Sequence, residues 1–221
     1  MNIYFIKPNI FYVFKNVNIF KINNTCKQST ELIIIDEFYE NPNEIRNYAL
    51  LQDFNTTGSF PGVRTGRNYA RHEIFYKLKD LLEKCGYDPC KQKFFANTEG
   101  CNCSFTLSRA VDKSLSWIHV DGELDDKDVL RIGAIIYLTP NAPLSGGTVF
   151  YEFIEDNAPE KVRDKYTHDI TKWRKTNTVS NVFNRIIIFN ANKYHSVNRL
   201  FGTDKYNGRL TQNIFIHCKR Y

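Results

Sequence analysis

His119 and Asp121 stand two positions apart at the end of an apolar run. In a β-strand, residues with this spacing point to the same face, so we expect both side chains to face the interior of the fold. Ile118 and Val120 should then face the other way. A neutral imidazole beside a carboxylate offers two ligands to one metal ion, so the pair indicates a metal site that needs a third ligand.

His195 is the candidate for that third ligand, because it follows another buried-strand run and comes from a distant part of the chain. Two histidines and one carboxylate on one triangular face of an octahedron leave the other positions open, which is the arrangement of non-haem iron(II) oxygenases. His217 is a rival ligand, but it comes late in the final strand. His72 and His168 lie in helical or polar contexts and are expected at the surface.

The last predicted strand, 209–217, places an arginine inside the fold. Its residues of one face are Arg209, Thr211, Asn213, Phe215 and His217. An arginine that points into a barrel is costly unless an anion meets it, and a guanidinium holds a carboxylate through two parallel hydrogen bonds. A dicarboxylate cosubstrate would supply the anion, and Thr211 and Tyr137 could each add a hydroxyl donor.

The order of these features resembles the Fe(II)/2-oxoglutarate-dependent dioxygenase superfamily, and most closely its prolyl-4-hydroxylase-like branch. The features, in chain order, are the His119-x-Asp121 pair, the strand ending at Tyr137-Leu138, the Ser145-Gly146-Gly147 turn, the distal His195 and finally Arg209. The earlier segments 35–46 and 60–65 resemble an uncharacterised type found in bacteria, phages and large viruses. The resemblance covers about residues 100–218 and begins more loosely near residue 32.

The resemblance implies a role for each of these residues. The implied catalytic residues are His119, Asp121, His195 and Arg209; the implied Fe(II) ligands are His119, Asp121 and His195; the implied 2-oxoglutarate ligands are Arg209, Tyr137 and Thr211. Asp121 favours hydroxylation over halogenation, because related halogenases carry a small residue at this position. Ascorbate stays open as a further cofactor. Arg199 is a rival anchor, since Arg209 follows His195 at a long interval for this family.

The resemblance leaves the substrate open. A peptidyl proline or lysine and a small amino-acid-like metabolite are the main candidates. A nucleic acid ranks last, because the net charge of +6 is not concentrated in a basic run. The oligomeric state is also left open. A catalytically silent cupin-like binding module is the alternative function, although such a module need not keep a buried arginine.

A structural zinc protein is a third reading, with a site built from Cys85, Cys90, Cys101 and Cys103. The cysteine spacing is not that of a zinc finger or ribbon, so buried free thiols are the simpler interpretation. This reading predicts metal binding that survives loss of His119.

The chain of 221 residues, 42% of them hydrophobic, is long enough for one sizeable core. Helices are predicted at about 42–52 and 71–85, and strands at 10–22 (a hairpin), 32–35, 103–107, 116–119, 131–138, 147–153, 185–189 and 209–217. Residues 55–68 read as a loop. The segment 155–178 reads as a solvated surface helix, with a lid or docking surface as the alternative.

Helices followed by many short strands predict one α+β domain over residues 1–221. Residues 1–93 would supply strands and supporting helices packed on one sheet, and residues 94–221 a jelly roll or cupin-type barrel. The resemblance identifies this barrel as a double-stranded β-helix. No signal peptide or membrane span is read from the sequence, so we expect an intracellular, cytoplasmic protein, in a host cell or virion if the source is viral.

Overall fold

A computed structural model describes residues 17–22, 30–58, 60–66, 72–85, 87–89, 102–112, 117–122, 129–155 and 157–220. Two antiparallel sheets and a few helices account for the regular structure of these residues. The helices are α1 (Pro42–Leu50), α2 (His72–Lys84) and α3 (Glu160–Arg163), with 3-10 turns at Leu144–Gly146, Asp164–Tyr166 and Ile170–Lys172.

The larger sheet has nine strands. They are β1 (Val17–Ile22), β2 (Thr30–Ile35), β3 (Phe54–Gly58), β4 (Phe60–Thr65), β5 (Tyr87–Pro89), β6 (Phe105–Ser108), β7 (Leu130–Tyr137), β10 (Ile186–Asn190) and β12 (Arg209–Arg220). Their order is β1-β2-β10-β7-β12-β6-β4-β3, and β5 pairs with the far end of β12. The smaller sheet contains β8 (Thr148–Phe153), β9 (Trp173–Val179) and β11 (His195–Val197), in the order β11-β8-β9.

The helices α1 and α2 cover the outer face of the larger sheet. Their buried residues Ala49, Ile74, Leu78, Leu81 and Leu82 share one core with strand residues that include Leu210, Ile214, Ile216 and Cys218 of β12. The even-numbered residues of β12 therefore face the helices, and its odd-numbered residues face the smaller sheet. The prediction of N-terminal helices packed on one sheet is confirmed.

The two sheets pack against each other through a second, smaller core. It joins Phe150 and Val179 of the smaller sheet to Ile187, Phe189 and Tyr137 of the larger one. Two packed antiparallel sheets are consistent with the predicted jelly-roll class of fold.

A third core lies on the outer side of the smaller sheet. It contains Ile118, Val149, Tyr151, Phe153, Trp173 and Tyr194. The segment 157–172 packs over this core: the Trp173 indole donates a hydrogen bond to the Tyr166 carbonyl, and the rings of Phe153 and Tyr166 stack 5.9 Å apart.

The predicted loop at 55–68 is wrong, because most of it forms the hairpin of β3 and β4. Pro61 and Gly62 favoured a loop in the sequence. Gly62 instead lets two strands approach closely: its φ is +86°, and a Cβ atom there would lie 2.1 Å from the Leu107 carbonyl oxygen of β6. β4 therefore pairs with β6 on its other side.

The predicted helix at 155–178 is also wrong. Its first part forms only short helical turns, and its second part is β9, which pairs with β8. Exposed charges in β9 obscured the period of two, since only its end residues Trp173 and Val179 are buried.

Two further predictions concern the N-terminal side. Residues 10–16 of the predicted hairpin lie outside the described residues, and its remainder, β1, pairs with β2. Asn41 precedes α1 as predicted, but its side chain makes no capping hydrogen bond.

The segment between β2 and α1, together with α1, ties the N-terminal part of the chain to β12. The Tyr39 hydroxyl donates a hydrogen bond to the Gln212 side chain in the core. The Arg46 guanidinium donates to the carbonyls of Leu138 and Tyr206, at 2.8 and 2.6 Å. These bonds fix both the strand and the turn that precedes it.

We expect Tyr39→Phe to lower the free energy of unfolding by about 1–3 kcal/mol, because it removes a partner of the buried Gln212 carbonyl oxygen. Tyr39 and Gln212 are 4% and 1% exposed. Urea denaturation followed by circular dichroism measures the change. Tyr206→Phe is the matched control, since that side chain is 64% exposed and should tolerate the loss of its hydroxyl. Equal midpoints for the two variants would contradict the structural role of the Tyr39 hydroxyl.

Candidate metal centre and cleft

The backbone pairs His119 directly with His195. The His119 amide donates to the His195 carbonyl at 3.0 Å, and the His195 amide donates to the His119 carbonyl at 2.8 Å. Residues opposite each other in an antiparallel pair project their side chains to the same side. A further bond, from the Asp121 amide to the Ala191 carbonyl at 2.9 Å, continues the contact along the segment 117–122.

Three ligand atoms converge at this pairing. Asp121 lies between the imidazoles, with Oδ1 3.7 Å from His119 Nε2 and Oδ2 3.4 Å from His195 Nε2. The ligand atoms all lie within 4.8 Å of one another, and within the described ranges no other histidine, cysteine and carboxylate side chains cluster in this way. The side chains of this segment also point as predicted, since Ile118 and Val120 pack into the third core on the opposite side.

The hydrogen bonds of the imidazoles orient their free nitrogens towards Asp121. His119 Nδ1 lies 3.0 Å from the Trp117 carbonyl, and His195 Nδ1 lies 2.8 Å from the Lys193 carbonyl. A carbonyl only accepts, so each Nδ1 carries the proton and each Nε2 presents a lone pair. Desolvation, followed by the effect of His195, lowers the pKa of His119 to about 4. Neutral imidazoles backed by carbonyls and joined by a carboxylate fit a divalent metal ion.

These ligands line a cleft between the two sheets. Its empty volume is about 680 Å³, including the part that is open to solvent. Arg209, Thr211, Asn213 and Phe215 of β12 form part of its floor, as their predicted common face requires. His217, which the same pattern placed on this face, lies outside the cleft lining.

Arg209 is 7% exposed and is held in place by groups without formal charge. Its Nε donates to the Gly146 carbonyl at 2.8 Å, and its guanidinium carbon lies 5.5 Å from the centre of the Tyr137 ring. Burial lowers the pKa of Arg209, and no described carboxylate offsets that effect. A buried cation whose fixed partners are the Gly146 carbonyl and the Tyr137 side chain, neither of them anionic, has unused capacity to bind an anion.

The two predicted hydroxyl donors occupy different places. Thr211 lines the cleft, and its hydroxyl donates to Asn213 Oδ1 at 3.2 Å. Tyr137 is fully buried beside Arg209, outside the cleft lining, and its hydroxyl shares a hydrogen bond of 2.8 Å with Thr148 Oγ1. Burial raises the pKa of Tyr137. Thr148 itself lines the cleft, so of the two hydrogen-bonded residues, Tyr137 and Thr148, it is the one that forms part of the cleft wall.

The Gly146-Gly147 pair does more than turn the chain. The Gly146 carbonyl accepts hydrogen bonds from Arg209 and from the Asn181 amide. A Cβ atom at Gly146 would lie 2.3 Å from the Phe201 ring, and one at Gly147 would lie 1.8 Å from the Val179 carbonyl oxygen. The absence of side chains here allows the turn to pack closely against Phe201 and the end of β9.

The rival candidates lie elsewhere. Arg199 is exposed and does not line the cleft. His168 is exposed and contacts the edge of Trp117. His72 is the first residue of α2. Of the proposed zinc cysteines, Cys103 is a buried free thiol and Cys85 a partly buried one, whereas Cys90 and Cys101 lie outside the described residues.

Sequence reasoning missed several residues of the cleft. They include Thr106, Ser108, Thr148 and Ser196. Phe60, Pro61 and Arg64, from the segment that was predicted to be a loop, also line the cleft. If β4 had been recognised as a strand, the alternation of its side chains would have assigned Arg64 to one face of the sheet.

Comparisons with known proteins identify solved structures of similar shape at low identity. A prolyl hydroxylase from Trichoplax adhaerens in complex with a hypoxia inducible factor peptide fragment is 12% identical, covers 85% of this chain and 83% of its own, and has a TM-score of 0.46. A prolyl-4-hydroxylase from Pseudomonas putida is 14% identical, with coverages of 86% and 93% and a TM-score of 0.44. HygX from Streptomyces hygroscopicus with nickel, 2-oxoglutarate and hygromycin B bound is 13% identical, with coverages of 86% and 82% and a TM-score of 0.48.

Three further findings concern the sequence and the described structure. No curated protein sequence matches it significantly. Among the described residues, no helix is long and apolar enough to cross a membrane. A family model described as "Family of unknown function (DUF6445)" matches residues 18–165 and 154–216, so the chain belongs to that family.

Proposed function

We propose that this chain is an iron(II)- and 2-oxoglutarate-dependent dioxygenase that hydroxylates a C–H bond. The observation that carries the proposal is the convergence of His119, Asp121 and His195 in a cleft that also contains the buried cation Arg209. In the same proposal the chain is a single domain, residues 94–221 form the catalytic core, and the two sheets are a double-stranded β-helix.

His119, Asp121 and His195 would hold the iron through two Nε2 atoms and one carboxylate. The bound metal supplies the oxidising chemistry, in which 2-oxoglutarate and O₂ become succinate and CO₂ while R–H becomes R–OH. One oxygen atom enters the succinate carboxylate and the other enters the hydroxyl group. The carbonyls of Trp117 and Lys193 keep the protons of the imidazoles on Nδ1.

Arg209 would hold the far carboxylate of 2-oxoglutarate. Its Nε is committed to the Gly146 carbonyl and the guanidinium also hydrogen-bonds to the Tyr137 side chain, so a carboxylate would bind the remaining donors of the terminal nitrogens. Thr211 lies on the same face of β12 and would add a hydroxyl donor. Tyr137 would act through its hydrogen bond to Thr148 and through its ring beside Arg209.

Asp121 occupies the position that decides between hydroxylation and halogenation in chemistry of this kind. A carboxylate here fills a ligand site that a halide would otherwise take, so hydroxylation is expected. Gly133 of β7 lies beside it, where a Cβ atom would make ordinary contact with Asp121 Oδ2 at 3.5 Å and a tighter contact with the Phe189 ring at 3.2 Å.

The first test is turnover of the cosubstrate. Protein purified anaerobically and given Fe(II), 2-oxoglutarate, ascorbate and O₂ should release succinate without added substrate, and His119→Ala should not. Mass spectrometry quantifies succinate. If the wild-type protein binds metal and 2-oxoglutarate yet releases no succinate above the level of His119→Ala, the chain is a silent binding module instead.

Metal binding should depend on the three ligands alone. We expect His119→Ala and His195→Ala each to weaken Mn(II) binding by about 100-fold or more, since even the loss of groups behind a ligand costs about 10- to 100-fold. Calorimetric titration measures the affinity. His168→Ala is the matched control, because that imidazole is exposed and lies outside the cleft lining. Stoichiometric metal that persists in His119→Ala would instead support a cysteine site.

Cosubstrate binding should depend on Arg209. We expect Arg209→Gln to weaken 2-oxoglutarate binding to the Mn(II)-loaded protein by roughly 10- to 100-fold, the effect of losing charge-assisted hydrogen bonds. Arg199→Gln removes the same charge from an exposed position and should bind normally. The opposite ranking of the two variants in calorimetry would identify Arg199 as the anchor. A thermal unfolding curve for each variant separates loss of binding from loss of folding.

A further inference from the structure

The three candidate metal ligands are fastened to two different sheets. His119 and His195 pair with each other at the edge of the smaller sheet. Asp121 is tied to the larger sheet instead, because its amide donates to the carbonyl of Ala191, which directly follows β10. The position of the carboxylate relative to the two imidazoles therefore depends on how the segment 117–122 is held by both sheets.

Arg131 of β7 makes a second connection between Asp121 and the larger sheet. Its Nη1 donates to the Asp121 carbonyl at 2.9 Å. Its own carbonyl accepts a hydrogen bond from the Ala191 amide at 2.9 Å, while the Ala191 carbonyl accepts one from the Asp121 amide. Ala191 thus bridges the main chains of Arg131 and Asp121, and the side chain of Arg131 closes the connection from the other side.

Both backbone groups of Asp121 are therefore hydrogen-bonded. The bond to its amide orients the peptide plane before its Cα atom, and the bond from Arg131 orients the plane after it. These two planes set the direction of the Cα–Cβ bond, from which the carboxylate extends. Among the described residues, no other group donates to the Asp121 carbonyl, so the second plane depends on Arg131.

The chain turns immediately after this bond. Gly122 has a φ of +90°, a conformation that favours glycine. A Cβ atom at Gly122 would lie 3.5 Å from Arg131 Nη1, which is ordinary contact, so the guanidinium lies against the turn. In the part of the chain that the structure describes, the bond from Arg131 is the last one that holds the ligand segment.

The surroundings of Arg131 indicate a role beyond stability. The residue is half-buried, and its Nε is enclosed without a hydrogen-bond partner among the described residues. Burial of an unpaired donor costs free energy. A hydrogen bond from a charged donor is stronger than one from a neutral donor, which suits a group that has to keep one carbonyl in place.

We propose that Arg131 is a positioning residue for the metal site, which directs the Asp121 carboxylate by fixing the Asp121 carbonyl. The inference rests on the metal site of the proposed function, but it involves neither 2-oxoglutarate nor the substrate. Loss of a group behind a ligand costs about 10- to 100-fold in metal affinity. Arg131 acts through the backbone and not on the carboxylate itself, so we expect the lower end of this range.

Arg131→Met tests the proposal, because it removes the donor and keeps much of the aliphatic length of the side chain. We expect it to weaken Mn(II) binding about tenfold. It should also change the ligand-field absorption bands of bound Co(II), which depend on the coordination geometry. Arg131→Lys keeps a charged donor and should restore part of both properties. Calorimetric titration measures the affinity, and absorption spectroscopy records the bands.

Two controls separate positioning from general stability. Tyr39→Phe removes a buried hydrogen bond elsewhere in the core, so it should bind Mn(II) as the wild-type protein does despite its lower stability in urea. Arg199→Met removes the same charge from an exposed position and should keep the wild-type affinity and bands. Unchanged affinity and bands in Arg131→Met, or equal changes in Tyr39→Phe, would overturn the proposal.

Hydrogen exchange of the metal-free protein gives a readout that needs no bound ion. We expect the Asp121 amide to exchange about tenfold faster in Arg131→Met and at the wild-type rate in Tyr39→Phe, because only the first variant loosens the ligand segment. NMR measures both rates. An unchanged rate at Asp121 in Arg131→Met contradicts the proposal.

The same proteins separate this proposal from the one on which it rests. If the wild-type protein binds Mn(II) but no 2-oxoglutarate, the dioxygenase function fails, and the affinities and Co(II) bands still decide the role of Arg131. If Mn(II) and 2-oxoglutarate both bind and Arg131→Met behaves as the wild-type protein does, only the role of Arg131 fails. If the wild-type protein binds no divalent metal, both proposals are overturned.

Discussion

The site depends on a pair of backbone hydrogen bonds between His119 and His195. Because the main chain makes this pairing, the two imidazoles are neighbours regardless of their rotamers. The pairing in turn requires that the segment 117–122 stay at the edge of the smaller sheet. The Ile118 amide donates to the Thr167 carbonyl at 3.0 Å, and the Asp121 amide donates to the Ala191 carbonyl at 2.9 Å. The segment 157–172 thus supports the candidate metal ligands.

A similar constraint governs the buried arginine of β12. A desolvated guanidinium is tolerated only where its position is fixed and part of its hydrogen-bonding capacity is met. The Gly146 carbonyl meets part of it, and the tight approach of that turn needs glycine at two successive positions. The N-terminal segment then fixes β12 from the other side through Tyr39 and Arg46. The helical half of the chain therefore contributes to the site although it supplies no ligand.

Sequence patterns predicted those parts of the fold in which side chains alternate or carry a distinctive type. The period of two along a strand correctly predicted that the side chains of His119 and Asp121 face the same way. It also predicted the alternation of side chains along β12. β4 was missed because Gly62 adopts a positive φ for close packing, which in sequence resembles a turn. The hydrogen-bond acceptor of Arg209 was not predicted, because it is a backbone carbonyl and every residue has one. The partnership of Tyr137 with Thr148 depends on how the two sheets face each other, which no local pattern encodes.

The two arginines of the cleft, Arg209 and Arg64, differ in how far they are exposed to solvent, and they therefore suit different kinds of ligand. Arg209 is enclosed and is fixed by a carbonyl that cannot leave, so an anion that binds it replaces lost hydration and is itself desolvated. Such a place suits one ligand of constant shape. Arg64 is partly exposed and rests on an aromatic face, which holds the plane of the guanidinium but leaves its approach from solvent open. A cation of this kind attracts ligands at longer range and releases them more readily, because less hydration is lost on binding. Burial, more than sequence position, thus distinguishes the two arginines by the hydration that a bound anion would displace at each.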